Sequence, residues 1–183
     1  MTPPPRPSRI LVYGVTGSGK TTLAARIGAG LGLPWHSVDD LTWEPGWVEV
    51  PKDVQRARIA EICDGAEWVL DAGYSGWLDI PLAAADLVVC LDFPRWVSLR
   101  RLLWRTGTRV VARTPVCNGN RESLRQAFSG DSIIVWHFHS FARKRRRMRE
   151  WAVGPWGDRV VLLRSPRAVT RWLRELANST PPG

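Results

Sequence analysis

The stretch Arg9–Thr22 constrains this chain more than any other. A short apolar run, Ile10-Leu11-Val12-Tyr13, leads into Gly14-Val15-Thr16-Gly17-Ser18-Gly19-Lys20-Thr21, which satisfies the pattern G-x-x-x-x-G-K-[ST] at every fixed position. Glycine admits backbone conformations closed to other residues and lets N–H groups approach phosphate oxygens. A helix starting at about Lys20 aims its unpaired N–H groups and positive dipole end into the same concavity. In that setting Gly14, Gly17, Ser18, Gly19, Lys20, Thr21 and Thr22 cradle the phosphates. The Lys20 ammonium reaches the β- and γ-phosphates, and the Thr21 hydroxyl ligates Mg²⁺. A plain Gly-rich turn that happens to carry a lysine is the bland alternative. Against it, the run before the motif is strand-like and the apolar residues of Thr22–Leu31 recur at helical spacing, which is the context the motif requires.

The remainder alternates in the same way. Leu33–Val38 reads as a second strand ending in Asp39-Asp40, followed by a Trp-, Pro- and Gly-rich loop over Trp43–Trp47. Pro51–Cys63 suits a helix, and Glu67–Asp71 a third strand that ends in an acid before Ala72-Gly73-Tyr74. Leu78–Ala85 is a short helix or turn, and Asp86–Asp92 a continuous apolar run expected of a strand covered on both faces. Pro94 opens a long helix, and Asp131-Ser132 caps another that runs into Arg143-Lys144-Arg145-Arg146-Arg147. Asp158–Leu163 is a fifth strand and Pro166–Ala177 a closing helix. Strands alternating with helices predict a three-layer α/β fold with a parallel sheet, whose ligands gather at the carboxyl ends of the strands. The phosphate loop, Asp39, Asp71 and Asp92 all fall on that edge.

The length of 183 residues suits one domain over 9–177, with a disordered lead-in at 1–8 and a disordered tail at 178–183. No stretch approaches the roughly 20 apolar residues of a membrane span. The lead-in lacks the apolar core of a signal peptide. Cys63, Cys90 and Cys117 are odd in number and far apart, against both disulfide and zinc frameworks, and a cytoplasmic location fits. Net charge is +9, concentrated between Arg95 and Arg149, where 14 Lys or Arg face only Glu122 and Asp131. Such a field attracts polyanions: nucleotides, nucleic acid or a phosphorylated small molecule.

Several residues carry candidate chemistry. Asp71 suits a carboxylate holding Mg²⁺ opposite Thr21, or a strand-end acid capping a turn. Asp39 and Asp40 suit positioning or deprotonation of an acceptor hydroxyl, or an Asx turn. Asp92 reads as a cap for the long helix. Arg101, Arg105, Arg109 and Arg113 recur every fourth residue and share one helix face, either gripping a transferring phosphoryl group or forming a solvated basic face. The run Arg143–Arg147 reads first as a solvated helix face and second as a nucleic-acid patch. His137 and His139 lack a nearby acidic or cysteine partner for a metal. Trp43 and Trp47 flank a Pro-Gly turn and suit either packing or stacking on a substrate ring.

With these residues in view, the chain resembles the adenylate-kinase-like P-loop kinases, and within them the DNA topology modulation protein FlaR-related group. The resemblance spans nearly the whole chain. It rests on Gly14–Thr21, Val38–Trp47, Trp68–Tyr74, Ala85–Arg95 and Asn118–Ser123. It implies a five-stranded parallel sheet in the order 2-3-1-4-5 with an Arg-rich lid over about 105–130. Arg101 and Arg105 match the arginines that open the lid in adenylate kinases. Asp71 matches the acid of those enzymes' "D-G" strand end, with Ala72 where glycine is usual and Gly73 one later. The AMP-site pattern of adenylate kinases is not matched, and Ser165-Pro166-Arg167 occupies the place where such kinases pack adenine.

The expected protein is an ATP- and Mg²⁺-dependent kinase of a small-molecule acceptor. Lys20, Asp39, Arg101 and Arg105 are its catalytic residues, the phosphate loop and Arg101 hold ATP, and Thr21 and Asp71 hold the metal. A nucleic-acid-binding or regulatory NTPase using the basic 95–149 region is the alternative. No pattern specifies an oligomeric state.

Overall fold

Five strands whose side chains alternate between two apolar faces set the architecture. The computed structural model describes residues 6–73, 76–112, 115–116, 120–121 and 133–178, with side chains described outside 109–134 and 136. The order is β1 (Arg9–Gly14), α1 (Lys20–Leu31), β2 (Trp35–Ser37), α2 (Val38–Thr42), β3 (Trp43–Glu44), β4 (Val48–Glu49), α3 (Lys52–Asp64) and β5 (Trp68–Ala72). It continues with α4 (Asp79–Ala84), β6 (Leu87–Leu91), α5 (Arg95–Ala112), β7 (Pro115–Val116), β8 (Asn120–Arg121), α6 (Ile133–Val153), β9 (Val160–Leu163) and α7 (Pro166–Asn178).

The main sheet runs β2-β5-β1-β6-β9, all parallel. Counting only its own strands in chain order, this is the expected 2-3-1-4-5. Strand β1 lies in the middle, with Val12 opposite Asp71 on one side and Val89 on the other. The two-residue side-chain period sorts the core into two layers. Leu11, Tyr13, Trp68, Leu70, Val88 and Cys90 pack with Ile59 of α3, Leu82 of α4, and Met148 and Trp151 of α6. Ile10, Val12, Val69, Val89 and Leu91 face Leu23 and Ile27 of α1, Val97 of α5, and Trp172 and Leu173 of α7.

Three departures from the sequence reading bear on the site. The second strand ends at Ser37, and Val38–Thr42 is helical, so Asp39 and Asp40 sit in a first helical turn instead of closing a strand. There they oppose the positive end of the helix, and Thr42 Oγ1 donates to the Val38 carbonyl oxygen at 2.9 Å. The Trp43–Trp47 loop is part of a small hairpin, β3 antiparallel to β4, turned through left-handed Gly46 (φ 80) and Trp47 (φ 59). Helix α5 persists to Ala112, so residues 105–112 of the expected lid are helical. Lid residues 113–114, 117–119 and 122–130 lie outside the described residues, as do Tyr74, the expected Asp131-Ser132 cap, the start of the lead-in and the end of the tail. Among the described residues, no helix is long and apolar enough to cross a membrane.

Candidate active site

The loop after β1 folds around two left-handed glycines. Gly19 (φ 93) stands at the N-terminus of α1. Gly17 (φ 79) lies so close to α5 that a Cβ would stand 2.4 Å from the Ser98 carbonyl oxygen and 2.9 Å from Leu102 Cβ. A side chain at either position is strained, and at 17 it also collides with backbone. At Gly14 an added Cβ would meet Ser18 Oγ at 2.7 Å. From α5, Arg101 Nη1 donates to the Ser18 carbonyl oxygen at 3.0 Å, and its guanidinium carbon lies 5.4 Å from the centre of the Phe93 ring. Ser18 Oγ is buried with no hydrogen-bond partner among the described residues, so the loop carries a donor that a phosphate oxygen would satisfy.

Strand alternation puts Asp71 on the α1 face of the sheet, where Thr21 opens that helix. Thr21 Oγ1 donates to Asp71 Oδ2 at 2.5 Å, and the Val38 N–H donates to Oδ1 at 2.9 Å. Burial raises the Asp71 pKa, opposed by these two hydrogen bonds and by the Lys20 charge and reinforced by Asp39. Desolvation lowers the Lys20 pKa; Asp71 and Asp39 pull it up and Arg105 pushes it down. Lys20, Thr21, Asp71, Asp39 and Arg105 therefore share one electrostatic neighbourhood.

The Thr21–Asp71 pair fits Mg²⁺. Both groups present oxygen, the Thr21 hydroxyl proton is directed at the carboxylate, and the Thr21 lone pairs are left for a cation. Among the described residues there is no cluster of three or more His, Cys, Asp or Glu. A cation here would take its other ligands from phosphates and water, as Mg²⁺ characteristically does.

Helix α6 overturns the reading of Arg143–Arg147 as a solvated face. Lys144 is only 4% exposed and points at the loop. A Cβ on Gly73, just past β5, would lie 3.6 Å from Lys20 Nζ and 3.7 Å from Lys144 Nζ. Arg145 Nε and Arg149 Nε donate to the fully buried Asp92 carboxylate at 2.7 and 3.0 Å. Asp92 thus ties down α6, which replaces its expected role as a cap for α5. Further along α6, His137 is buried with Nδ1 3.0 Å from the Thr16 carbonyl oxygen. That oxygen only accepts, so Nδ1 carries the proton, and burial holds the imidazole pKa down.

His137 and Lys144 are the site residues that the sequence reading passed over. The signal was present: Phe141, Met148 and Trp151 mark the buried stripe of α6, and His137 and Lys144 fall on it at helical spacing. Of the remaining candidates, Asp39 and Asp40 are exposed at the rim. Trp43 and Trp47 meet edge to face at 5.8 Å. Ser165 Oγ accepts from the Ala168 N–H at 3.1 Å and caps α7. The Arg109 side chain and all of Arg113 lie outside the described residues.

Solved structures with this architecture include a gluconokinase from Sinorhizobium meliloti 1021, at TM-score 0.57 and 19% identity over 95% of this chain and 91% of that one. They also include a shikimate kinase from Aquifex aeolicus vf5, at TM-score 0.53 and 15% identity over 96% and 99%. A shikimate kinase from Bacteroides thetaiotaomicron aligns at TM-score 0.52 and 15% identity over 94% and 97%. The chain has the fold of these kinases. No protein-family model and no curated protein matches it. In this kinase fold the glycine loop, the Thr21–Asp71 pair and Lys20 meet at the carboxyl edge of the sheet, beside the N-terminus of α1.

Proposed function

We propose that the protein is an ATP- and Mg²⁺-dependent phosphotransferase that moves the γ-phosphoryl group to a hydroxyl, or a phosphate, of a small-molecule acceptor. The observation that carries this reading is the Thr21–Asp71 contact seated beside Lys20 in the glycine loop. Likeness in fold to a gluconokinase and to shikimate kinases supports a hydroxylated small molecule as acceptor. The motifs around Val38–Trp47 and Ala85–Arg95 favour the FlaR-related group among such kinases.

Each residue then has a task. Backbone N–H groups of Gly17–Thr22 and the Lys20 ammonium bind the phosphates. Arg101 holds the loop in shape through the Ser18 carbonyl, and Arg105 adds positive charge near Lys20. Thr21 and Asp71 would hold Mg²⁺, which would offset phosphate charge during transfer. Asp39, at the rim, orients the acceptor hydroxyl and takes its proton. The acceptor oxygen bonds to phosphorus as the bond to the diphosphate oxygen breaks, and ADP leaves with that electron pair. Catalysis here is positioning and electrostatics more than covalent chemistry by the protein.

ATP consumption measured against sugar acids, hydroxy acids, polyols and nucleoside monophosphates tests this. One class should be phosphorylated, and Lys20→Ala should abolish it. Failure of the purified protein to bind Mg·ATP, or unchanged binding in Lys20→Ala, would sink the reading.

A nucleic-acid-binding NTPase is the second reading, favoured by an open groove of about 550 Å³ whose lining includes Arg95, Phe141, Arg145, Arg146 and Arg149, with Glu150 as its acid. It requires DNA or RNA affinity that falls steeply with salt. Two of these arginines are already paired with Asp92, which weakens the case.

A further inference from the structure

Lysine occurs three times in this chain, as Lys20, Lys52 and Lys144, and two of the three converge on one point. Lys20 comes from the phosphate loop and Lys144 from α6, on the other side of the lid segment in sequence. Both ammonium nitrogens lie within 4 Å of where a Cβ on Gly73 would be. Glycine is what leaves that volume open.

Two like charges brought together in a buried place repel each other, and burial adds a desolvation cost. The charged groups facing Lys144 are Lys20 of the loop, Arg143 and Arg147 of its own helix, and Asp39 of α2. Beyond burial, Lys20, Arg143 and Arg147 lower the Lys144 pKa and Asp39 raises it. Such an arrangement suits a site that receives an anion.

We infer that Lys144 is the second ammonium of the phosphoryl site: the γ-phosphate of the nucleotide lies between Lys20 and Lys144 over Gly73. The assignment rests on the kinase reading above and goes beyond it by naming a phosphate-binding side chain outside the loop. Lys20 belongs to the donor loop, so an anion that touches both amines is the terminal phosphate. Asp39, the carboxylate assigned above to the acceptor hydroxyl, acts electrostatically on both amines. The burial that depresses the Lys144 pKa to about 7 agrees with an amine that becomes fully charged when its anion arrives.

The test compares Mg²⁺-bound AMPPNP with Mg²⁺-bound ADP by calorimetry, using wild type, Lys144→Gln and Lys144→Arg. A charge-assisted contact confined to the γ-phosphate predicts that Lys144→Gln weakens AMPPNP about tenfold or more while ADP stays within about twofold. Lys144→Arg should recover most of the loss. Should Lys144→Gln fail to fold, Lys144→Met, with an apolar chain suited to the buried setting, makes the same comparison. Equal weakening of both nucleotides assigns Lys144 a structural role and overturns the inference. So does unchanged AMPPNP binding, or an effect confined to the acceptor KM. A wild type that binds neither nucleotide defeats the kinase reading itself.

Discussion

Helices α5 and α6 are both rich in arginine, and both lie against the phosphate loop, but they meet it in different ways. Helix α5 meets the loop through its backbone: the Ser98 carbonyl and Leu102 press on Gly17, and Arg101 reaches back to a loop carbonyl. Its other side exposes Trp96, Leu103 and Trp104. Helix α6 buries a polar stripe of His137, Ser140 and Lys144 and meets the loop through the His137 imidazole, which donates to the Thr16 carbonyl oxygen, and through the Lys144 ammonium beside Lys20. Its outer arginines fold over Asp92. Both helices hold a loop carbonyl, α5 through Arg101 on Ser18 and α6 through His137 on Thr16, but only α5 presses its backbone on Gly17, and α6 adds a buried ammonium. Arginines on the two helices do different work because Arg101 and Arg105 of α5 face the loop and Lys20, while Arg145 and Arg149 of α6 face Asp92.

The sharpest way to break this comparison is Arg101→Ala. If α5 shapes the loop, turnover should fall by about 100- to 1,000-fold, as for loss of one preorganised donor, while the thermal midpoint barely moves. A change below about tenfold would make Arg101 a bystander. Next is Asp92→Asn, which weakens two charge-assisted bonds to α6 and should cost about 2–3 kcal/mol in urea unfolding. Arg145→Ala added to that variant should cost less than Arg145→Ala alone, because their shared contact is already weakened.

A more gradual effect, spread over several pH units, concerns Lys144. The Lys144 pKa is depressed from 10.5 to about 7 in the folded protein. Between those values the unfolded chain binds the extra proton, so this residue's contribution to stability rises with pH from about 7 to about 10 and is lowest below 7. Its ceiling is about 1.4 kcal/mol per pH unit. Unfolding curves across that range should lose this slope in Lys144→Met. The smallest effect belongs to Arg146, which projects into solvent and pairs only loosely with Glu150 at 3.4 Å. Arg146→Ala should change stability by less than about 0.5 kcal/mol and leave turnover unaltered. A larger change in either would mean that the outer face of α6 also serves the site.

Much of this was legible in the residues. The phosphate loop is a contiguous motif whose neighbours carry clear helix and strand periods, so its location followed from the residues, whereas the sheet order followed from the resemblance to adenylate-kinase-like P-loop kinases. Thr21 and Asp71 could be paired because each ends or begins a recognisable element on the same sheet edge. Asp39 was placed at the site, but its helix was missed, since five residues hold too little periodicity to separate a turn of helix from a strand end. Lys144 and Asp92 were misread for a different reason. A basic run of five looks alike on every face, and only the register of a 21-residue helix against the sheet decides which members are buried. That register is a tertiary property, visible in sequence only through Phe141, Met148 and Trp151.

Gly73 has a consequence for how the recess could be closed. A methyl group there makes ordinary contacts of 3.5–3.7 Å with Lys20 and Lys144, so the protein alone accommodates alanine without collision. That same methyl would occupy the volume over the two amines. If the phosphate lies between the two amines as inferred, one carbon atom separates an open recess from a plugged one, and Gly73→Ala should block the ligand while sparing the fold.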